Sequence, residues 1–494
     1  MTPRMIFIVL SLTIWPLSAI NLYFYHDNVI NFTIISLIAA LGWFDTLQKR
    51  DAVLRDYPVI GHIRYLLRFI SPELHQYFIE NNTDGKPFNK NMIELINLRA
   101  DNKAAFHPFG TEQDFYRDGL DWTSHSMFPK QKMQQVPRVT IGGDNCTQPY
   151  SASILNISAM SFGAISENAI KALNEGAKRG NFYHNTGEGG LTPHHLACGG
   201  DITLQIGTGN FGCRNSDGSF NDAVFAEKAA HRAVKMIEIK LSQGAKPGHG
   251  GMLPAAKNTQ EIASIRMVEP HTDVLSPAFN PAFSTAAELI AFIIKIRELG
   301  KGKPVGIKLC IGNTEDFTAL IEAFIEQQVF PDFITVDAAE GGTGAAPLDY
   351  SNHIGMRGED ALCFVDNTLK DFSVREKIRV IYAGKVTSGF TLFKALCLGA
   401  DLCNSARGFM FSLGCIQSLR CHTDTCPTGI ATQNKNMQRG LVSSVKAIRV
   451  ENYHNNTIND FAGIASTVGI GKLEDLTRHL VHKQKPSLAL EINS

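Results

Sequence analysis

The run VGIKLCIGNTEDFTALIEAFIEQQVFPDFITVDAAEGGTG, from Val305 to Gly344, decides how the rest of the chain is read. Val305–Cys310 is a short apolar stretch, too brief for a buried helix and of the right length for a buried strand. Thr314–Gln327 carries a helical pattern, and Phe333–Val336 is again short and apolar. Glu340, Gly341 and Gly342 close the unit with a glycine rim. The same rhythm extends outward on both sides, with expected strands at Ile154–Met160, Phe182–Asn185, Ile202–Ile206, Met236–Leu241, Arg379–Ala383 and Leu402–Ser405. Helical patterns at Glu167–Arg179, Ala286–Leu299 and Phe390–Leu398 fall between them. Eight strands alternating with helices predict an α/β fold of the (β/α)8 TIM-barrel type rather than an open doubly wound sheet.

Most glycines follow the expected strands, where barrel active sites lie. Asn185-Thr186-Gly187-Glu188-Gly189-Gly190 would let backbone approach a flat ligand, with Glu188 above it; a plain tight turn explains the same residues taken alone. Glu238-Ile239-Lys240 leads into Gln243-Gly244-Ala245-Lys246-Pro247-Gly248-His249-Gly250-Gly251, and Arg266 follows on an expected helix. Lys246 and Arg266 converging on one pocket would suit a dicarboxylate, whereas lysines on a solvated loop are the plainer reading. Lys308 interrupts an apolar strand and needs an anion, either a reduced flavin or a buried carboxylate. Gly384 and Lys385 end one strand, Ala406 and Arg407 the last; in barrels that corner commonly holds phosphate. No G-x-G-x-x-G follows the first strand, so dehydrogenase chemistry on a dinucleotide is unsupported.

Cys415, Cys421 and Cys426 lie within GCIQSLRCHTDTCPTGIATQ, spaced C-x5-C-x4-C. Three thiols at that density suit an iron–sulfur cluster, with three irons or with four and an outside ligand. Structural cysteines are one rival, and zinc is a weaker one because C-x2-C pairs are missing. The 494 residues carry no formal net charge, and no basic stripe with interleaved aromatics points to nucleic acid. Ten cysteines in so long a chain do not form a secreted disulfide framework, which implies a reducing compartment.

The N-terminus suits another solvent. Met5–Tyr25 is uncharged and long enough to cross a hydrocarbon core of about 30 Å. His26, Asp27 and Asn28 break the run, and Val29–Phe44 is again uncharged. Arg4 before the pair and Lys49, Arg50 and Arg55 after it predict a membrane hairpin over residues 5–47, with the barrel cytoplasmic. A cleaved signal peptide is the rival for the first segment. The expected organisation is a transmembrane hairpin at 1–47, a cap or linker at 48–150, the barrel with its cysteine loop at 151–433, and a helical extension at 434–494.

Taken together, ISAMSFGA from Ile157, NTGEGG, QGAKPGHGG, EGGTGAAP and CHTDTCPTGIATQ resemble, in order, the flavin-binding synthase domain of glutamate synthases. The resemblance implies FMN near Met160, Ser161, Gln205 and Lys308, on the rim that includes Glu340, Gly341, Gly342, Gly384, Lys385, Ala406 and Arg407. It implies a [3Fe-4S] cluster on Cys415, Cys421 and Cys426. Lys246 and Arg266, beside Met252, would meet the carboxylates of 2-oxoglutarate; Glu188, Lys246 and Lys308 are the candidate catalytic residues. The implied reaction is reductive amination: ammonia and 2-oxoglutarate give 2-iminoglutarate, and reduced FMN supplies hydride to form L-glutamate. An outside donor, a ferredoxin or a separate reductase subunit, would feed electrons through the cluster.

The chain also departs from the family pattern. It begins Met1-Thr2 where complete enzymes carry a glutaminase domain, so ammonia is expected from the free pool or a partner subunit. Met252 stands where the family commonly has glutamine, and Leu275–Asn280 lacks a histidine-rich sequence. Ala383 and Lys385 replace an expected Asp and Gly. A different keto acid or amine, or a membrane-docked electron-transfer role without amination, are the competing functions.

Overall fold

The computed structural model describes residues 2–106, 108–135 and 137–484. The chain divides into two compact units, Met1–Asn91 and Met92–Ser494.

The first unit opens with two helices, Pro3–Phe24 and Val29–Leu47, joined by a short turn. At 1.5 Å per residue, 22 and 19 residues reach about 33 and 28 Å, long and apolar enough to cross a bilayer. They pack through Phe7 against Trp43 and through a hydrogen bond from the Trp15 indole to Ser36 Oγ at 3.0 Å. Asp45, fully buried at the end of the second helix, accepts from the Val59 N–H and pairs with His62 Nε2, each at 3.0 Å. This contact anchors helix Gly61–Leu74. Its apolar stripe, Ile63, Leu66, Leu67, Ile70 and Leu74, faces solvent. The helix runs on into one wider turn, His75–Ile79.

The second unit is built on a closed parallel barrel: β1 (Leu155–Ile157), β2 (Tyr183–Asn185), β3 (Asp201–Ile206), β4 (Val234–Lys240), β5 (Val305–Leu309), β6 (Phe333–Asp337), β7 (Arg379–Ala383) and β8 (Leu402–Ser405). Each strand pairs with the next in chain order, and β8 returns to β1 through Cys403 opposite Leu155. The strands are buried on both faces, which is why they read as short apolar-rich runs without the alternation of a half-exposed sheet. Helices start where small polar side chains satisfy open N–H groups. Ser166 caps Glu167–Gly180, and Thr285 with Glu288, like Ser388 with Thr391, forms a capping box.

An antiparallel hairpin, Arg138–Ile141 with Tyr150–Ser153, plugs the N-terminal mouth of the barrel. Ile141, Tyr150 and Ala152 pack there on Tyr183, Met236, Phe333, Ile381 and Leu402. The segment boundary drawn at residue 150 therefore falls inside a strand. On the outside, helix Ser443–Val468 lies against Glu167–Gly180, where a Cβ on Gly176 would stand 2.4 Å from Val450. His454 stacks on Phe182 and hydrogen-bonds Ser153 Oγ at 2.9 Å. Asp121–Thr123 and Val481–Lys483 pair antiparallel and join the two ends of this unit.

Candidate active site

The C-terminal half of the barrel interior is polar and ordered around Glu238 of β4, which is 1% exposed. Its carboxylate accepts from Asn185 Nδ2 at 2.8 Å, Gln205 Nε2 at 2.6 Å and Thr335 Oγ1 at 2.7 Å. Gln205 is thereby fixed from below, and its own N–H donates to Thr186 Oγ1 at 3.1 Å. On β5, Lys308 Nζ meets Asp337 Oδ2 at 3.3 Å, and the same oxygen accepts from the Gly244 N–H at 2.8 Å. Burial alone would lower the Lys308 pKa, but Asp337 and Glu238 outweigh it and raise it, so the ammonium persists. A buried carboxylate is thus the partner of this lysine in the structure.

Glu188 sits one layer higher. Its carboxylate pairs with Lys240 Nζ at 2.9 Å, and that ammonium also donates to Gln243 Oε1 at 2.6 Å. Two glycines make the space: a Cβ on Gly207 would come within 2.5 Å of Glu188 Cβ, and one on Gly251 within 2.4 Å of its Oε1. Burial pushes the Glu188 pKa up, yet Lys240, Arg266 and Lys246 together hold it below the ordinary carboxylate value. Lys246 is 2% exposed and donates to the Ala345 carbonyl at 2.6 Å; burial lowers its pKa. Arg266 ends helix Gln260–Arg266. Its Nη2 donates to Ser161 Oγ at 3.2 Å and the Phe162 carbonyl at 2.9 Å, its guanidinium lies over the Phe211 ring, and its buried Nε has no partner. Burial brings its pKa down to about 10. The two basic residues therefore converge on a site that already holds a carboxylate of the protein, while Met252 lies half exposed above it.

The rim closes around Gly187, whose φ of +65° only glycine adopts freely and whose Cβ would stand 2.7 Å from the Ser161 nitrogen. That approach locks the NTGEGG turn onto Met160 and Ser161. At the opposite side Arg407 Nη2 donates to the Glu340 carbonyl at 3.0 Å and crosses Gly342, while Glu340 accepts from the Gly358 N–H at 3.0 Å. Gly341 lies between them. Gly384 and Lys385 stand beyond β7, with Ala406 and Arg407 beyond β8, and Ser405 Oγ bonds the Val386 carbonyl at 2.6 Å to tie the two ends together.

The cysteine loop follows the short helix Arg407–Leu413. Gly414, Gln417, Leu419, Asp424 and Gly429 all have positive φ, so the loop folds back repeatedly. The Gln417 N–H donates to Cys415 Sγ at 3.4 Å, and Thr428 Oγ1 lies 3.4 Å from Cys426 Sγ. Burial pushes the Cys415 thiol up to about 12, aided by Cys421 and Cys426. At Cys426 burial also raises the pKa, but the Thr428 hydroxyl and N–H groups of Ala431, Thr428 and Ile430 overcome it and leave it lowered. Donors aimed at sulfur fit a metal-bound thiolate. Among the described residues, the ligand atoms that all lie within 4.8 Å of one another are those of Glu167, His194 and Glu261. Glu167 is engaged by Lys435 at 3.1 Å.

Sequence reading gave no role to Glu238, Asp337 or Lys257. The alternation Glu238-Ile239-Lys240 places both charges on one face of β4, but their partners come from four other strands and loops. Lys257, 1% exposed, donates to the carbonyls of Ala164, Cys421 and Ala431.

A family model for the conserved region in glutamate synthase matches residues 124–471. The glutamate synthase large subunit-like protein YerD of Bacillus subtilis (strain 168) is 35% identical over 502 residues, covering 92% of this chain and 95% of that protein. An archaeal-type glutamate synthase (NADPH) of Thermotoga sp. (strain RQ2) is 33% identical over 319 residues, 64% of this chain and 60% of the relative. The archaeal glutamate synthase (NADPH) of Methanocaldococcus jannaschii is 32% identical over 321 residues, 65% of this chain and 60% of the relative. The matched region holds the whole barrel, the buried interior charges and the cysteine loop, and the chain belongs to the glutamate synthase family of oxidoreductases.

Proposed function

We propose that this chain reductively aminates 2-oxoglutarate to L-glutamate by way of 2-iminoglutarate, carrying FMN on the barrel rim and a [3Fe-4S] cluster in the cysteine loop. The observation that supports this most is the joining of the two sites through one segment. Gln433 Nε2 donates to the carbonyls of Gly163 and Ile165, and the Ser166 N–H donates to Ile430. The loop that follows β1 therefore lies between rim and cysteines. When bound, FMN supplies the hydride and the cluster relays electrons to it. The chain's own residues do the rest. Met160, Ser161, Gln205 and Glu340–Gly342 border the flavin, with Gly384, Lys385, Ala406 and Arg407 at its phosphate. Lys308 presents a positive charge from below, and Cys415, Cys421 and Cys426 hold the irons. Lys246 and Arg266 hold the substrate carboxylates, with Met252 at the mouth, and Glu188 orders the lysines around them.

The two apolar helices, flanked by Arg4 and by Lys49, Arg50 and Arg55, tether the barrel to the cytoplasmic face of a membrane. Ammonia comes from the free pool or a partner subunit, and electrons from a ferredoxin or a separate reductase subunit. A second reading is favoured by Met252 and by the pairing of Lys240 with Glu188: the keto acid is one with a different side chain, or the chain is an electron-transfer subunit without amination. Anaerobic reduction of the detergent-purified protein, followed by 2-oxoglutarate and ammonium, separates these. Reoxidation of the flavin band with glutamate formed supports amination; flavin that stays reduced supports the second reading, and a protein without flavin sinks both.

A further inference from the structure

Lys257 occupies a three-residue turn, Ala255–Lys257, between the rim strand Met252–Leu253 and the helix that carries Arg266. Its stem and its ammonium are both inside the protein. Nζ donates to Ala164 O at 2.6 Å, Cys421 O at 3.1 Å and Ala431 O at 3.1 Å. An ammonium has three N–H donors and no acceptor, so three carbonyls satisfy it fully. The acceptors come from two separate parts of the chain. Ala164 belongs to the loop that follows β1, whereas Cys421 lies within the cysteine loop and Ala431 just after it.

The same segment grips the first loop a second time, because Arg266 donates to Phe162 O at 2.9 Å. The backbone between them is stiffened by Asn258 Nδ2, which donates to Glu269 O at 2.7 Å and Thr272 O at 3.0 Å. Residues 252–266 thus form a staple with one end on the flavin-side loop and the other on the cysteines.

The hydrogen-bond partners of Lys257 are neutral carbonyls, and the negative groups that favour its charge are Asp424 first, then Cys421 and Cys426. A buried charge short of counter-charge is expensive. Thiolates at Cys421 and Cys426 add to Asp424 as that counter-charge.

We propose that Lys257 is a positioning residue for electron transfer: it fixes the cysteine loop against the flavin-side loop, and its charge raises the reduction potential of the cluster. This rests on the reading that the three cysteines hold a cluster. A cation held beside the sulfurs favours the reduced, more negative cluster, whereas a carbonyl clamp alone would leave the potential unmoved.

The test uses the full chain, purified anaerobically in detergent, as wild type, K257M, K257Q and K257R. Iron per chain, the low-temperature EPR signal of the oxidised cluster and its midpoint in a mediated titration are measured. The expected result is a midpoint shifted to lower potential in K257M and K257Q, with K257R close to wild type. If K257M sheds its iron, K257Q, which keeps a hydrogen-bonding side chain without the charge, decides the matter. An uncharged variant that retains iron and the wild-type midpoint overturns the proposal alone. Wild-type protein that binds flavin but no iron overturns the cluster reading, and this proposal with it.

Discussion

Removing Glu238 leaves Asn185, Gln205 and Thr335 with buried donors and no acceptor. Glu238→Ala is expected to lower stability by about 3 kcal/mol, roughly 1 kcal/mol for each stranded donor, and to reduce flavin retained per chain. Urea unfolding together with absorbance of the purified protein checks both. Lys308→Met strands Asp337 and is expected to cost about 3 kcal/mol, with much of the loss recovered in Lys308→Met/Asp337→Asn; a double-mutant cycle reads the coupling. Glu188 gives the pH dependence. Its folded pKa lies below the ordinary carboxylate value of 4.5, so its contribution is complete above pH 4.5 and is lost as pH falls through the folded value. Urea midpoints across the acid range should therefore decline less steeply for Glu188→Gln than for wild type.

At the scale of elements, the turn at Gly187 makes the sharpest prediction. Gly187→Ala forces a Cβ against the Ser161 nitrogen at an unfavourable φ. It should lose most bound flavin while circular dichroism of the barrel stays close to wild type. All eight strands lie where the apolar runs place them, because strands buried on both faces are mostly apolar. Glu238, Lys240 and Lys308 are the buried charges among them, beside neutral polar residues such as Asn156, His184, Gln205 and Asn404. The plugging hairpin was illegible for the opposite reason: Val139 and Ile141 are separated from Tyr150 and Ala152 by a polar, proline-bearing stretch, and their apolar partners are five strands contributed from elsewhere in the chain. The cysteines were legible as a set from their spacing alone. The clamp on them was not, since carbonyl acceptors leave no trace in residue identity.

At the scale of the whole molecule, the two N-terminal helices predict that the chain stays with the pellet when membranes are washed with carbonate; release into the wash would argue against a spanning hairpin. The barrel adds a constraint of another kind. Because β8 closes onto β1, Leu155 must wait for Cys403, roughly 250 residues later in the chain. At about 5–20 residues per second that is a delay of about 12–50 s on the ribosome. Residues 1–47 are already outside the exit channel by then, and Cys415, Cys421 and Cys426 emerge only after the last strand. Chain order therefore imposes a timetable: the two apolar helices are made first, the barrel is completed second, and the cysteine loop folds last, against a rim that has already been assembled.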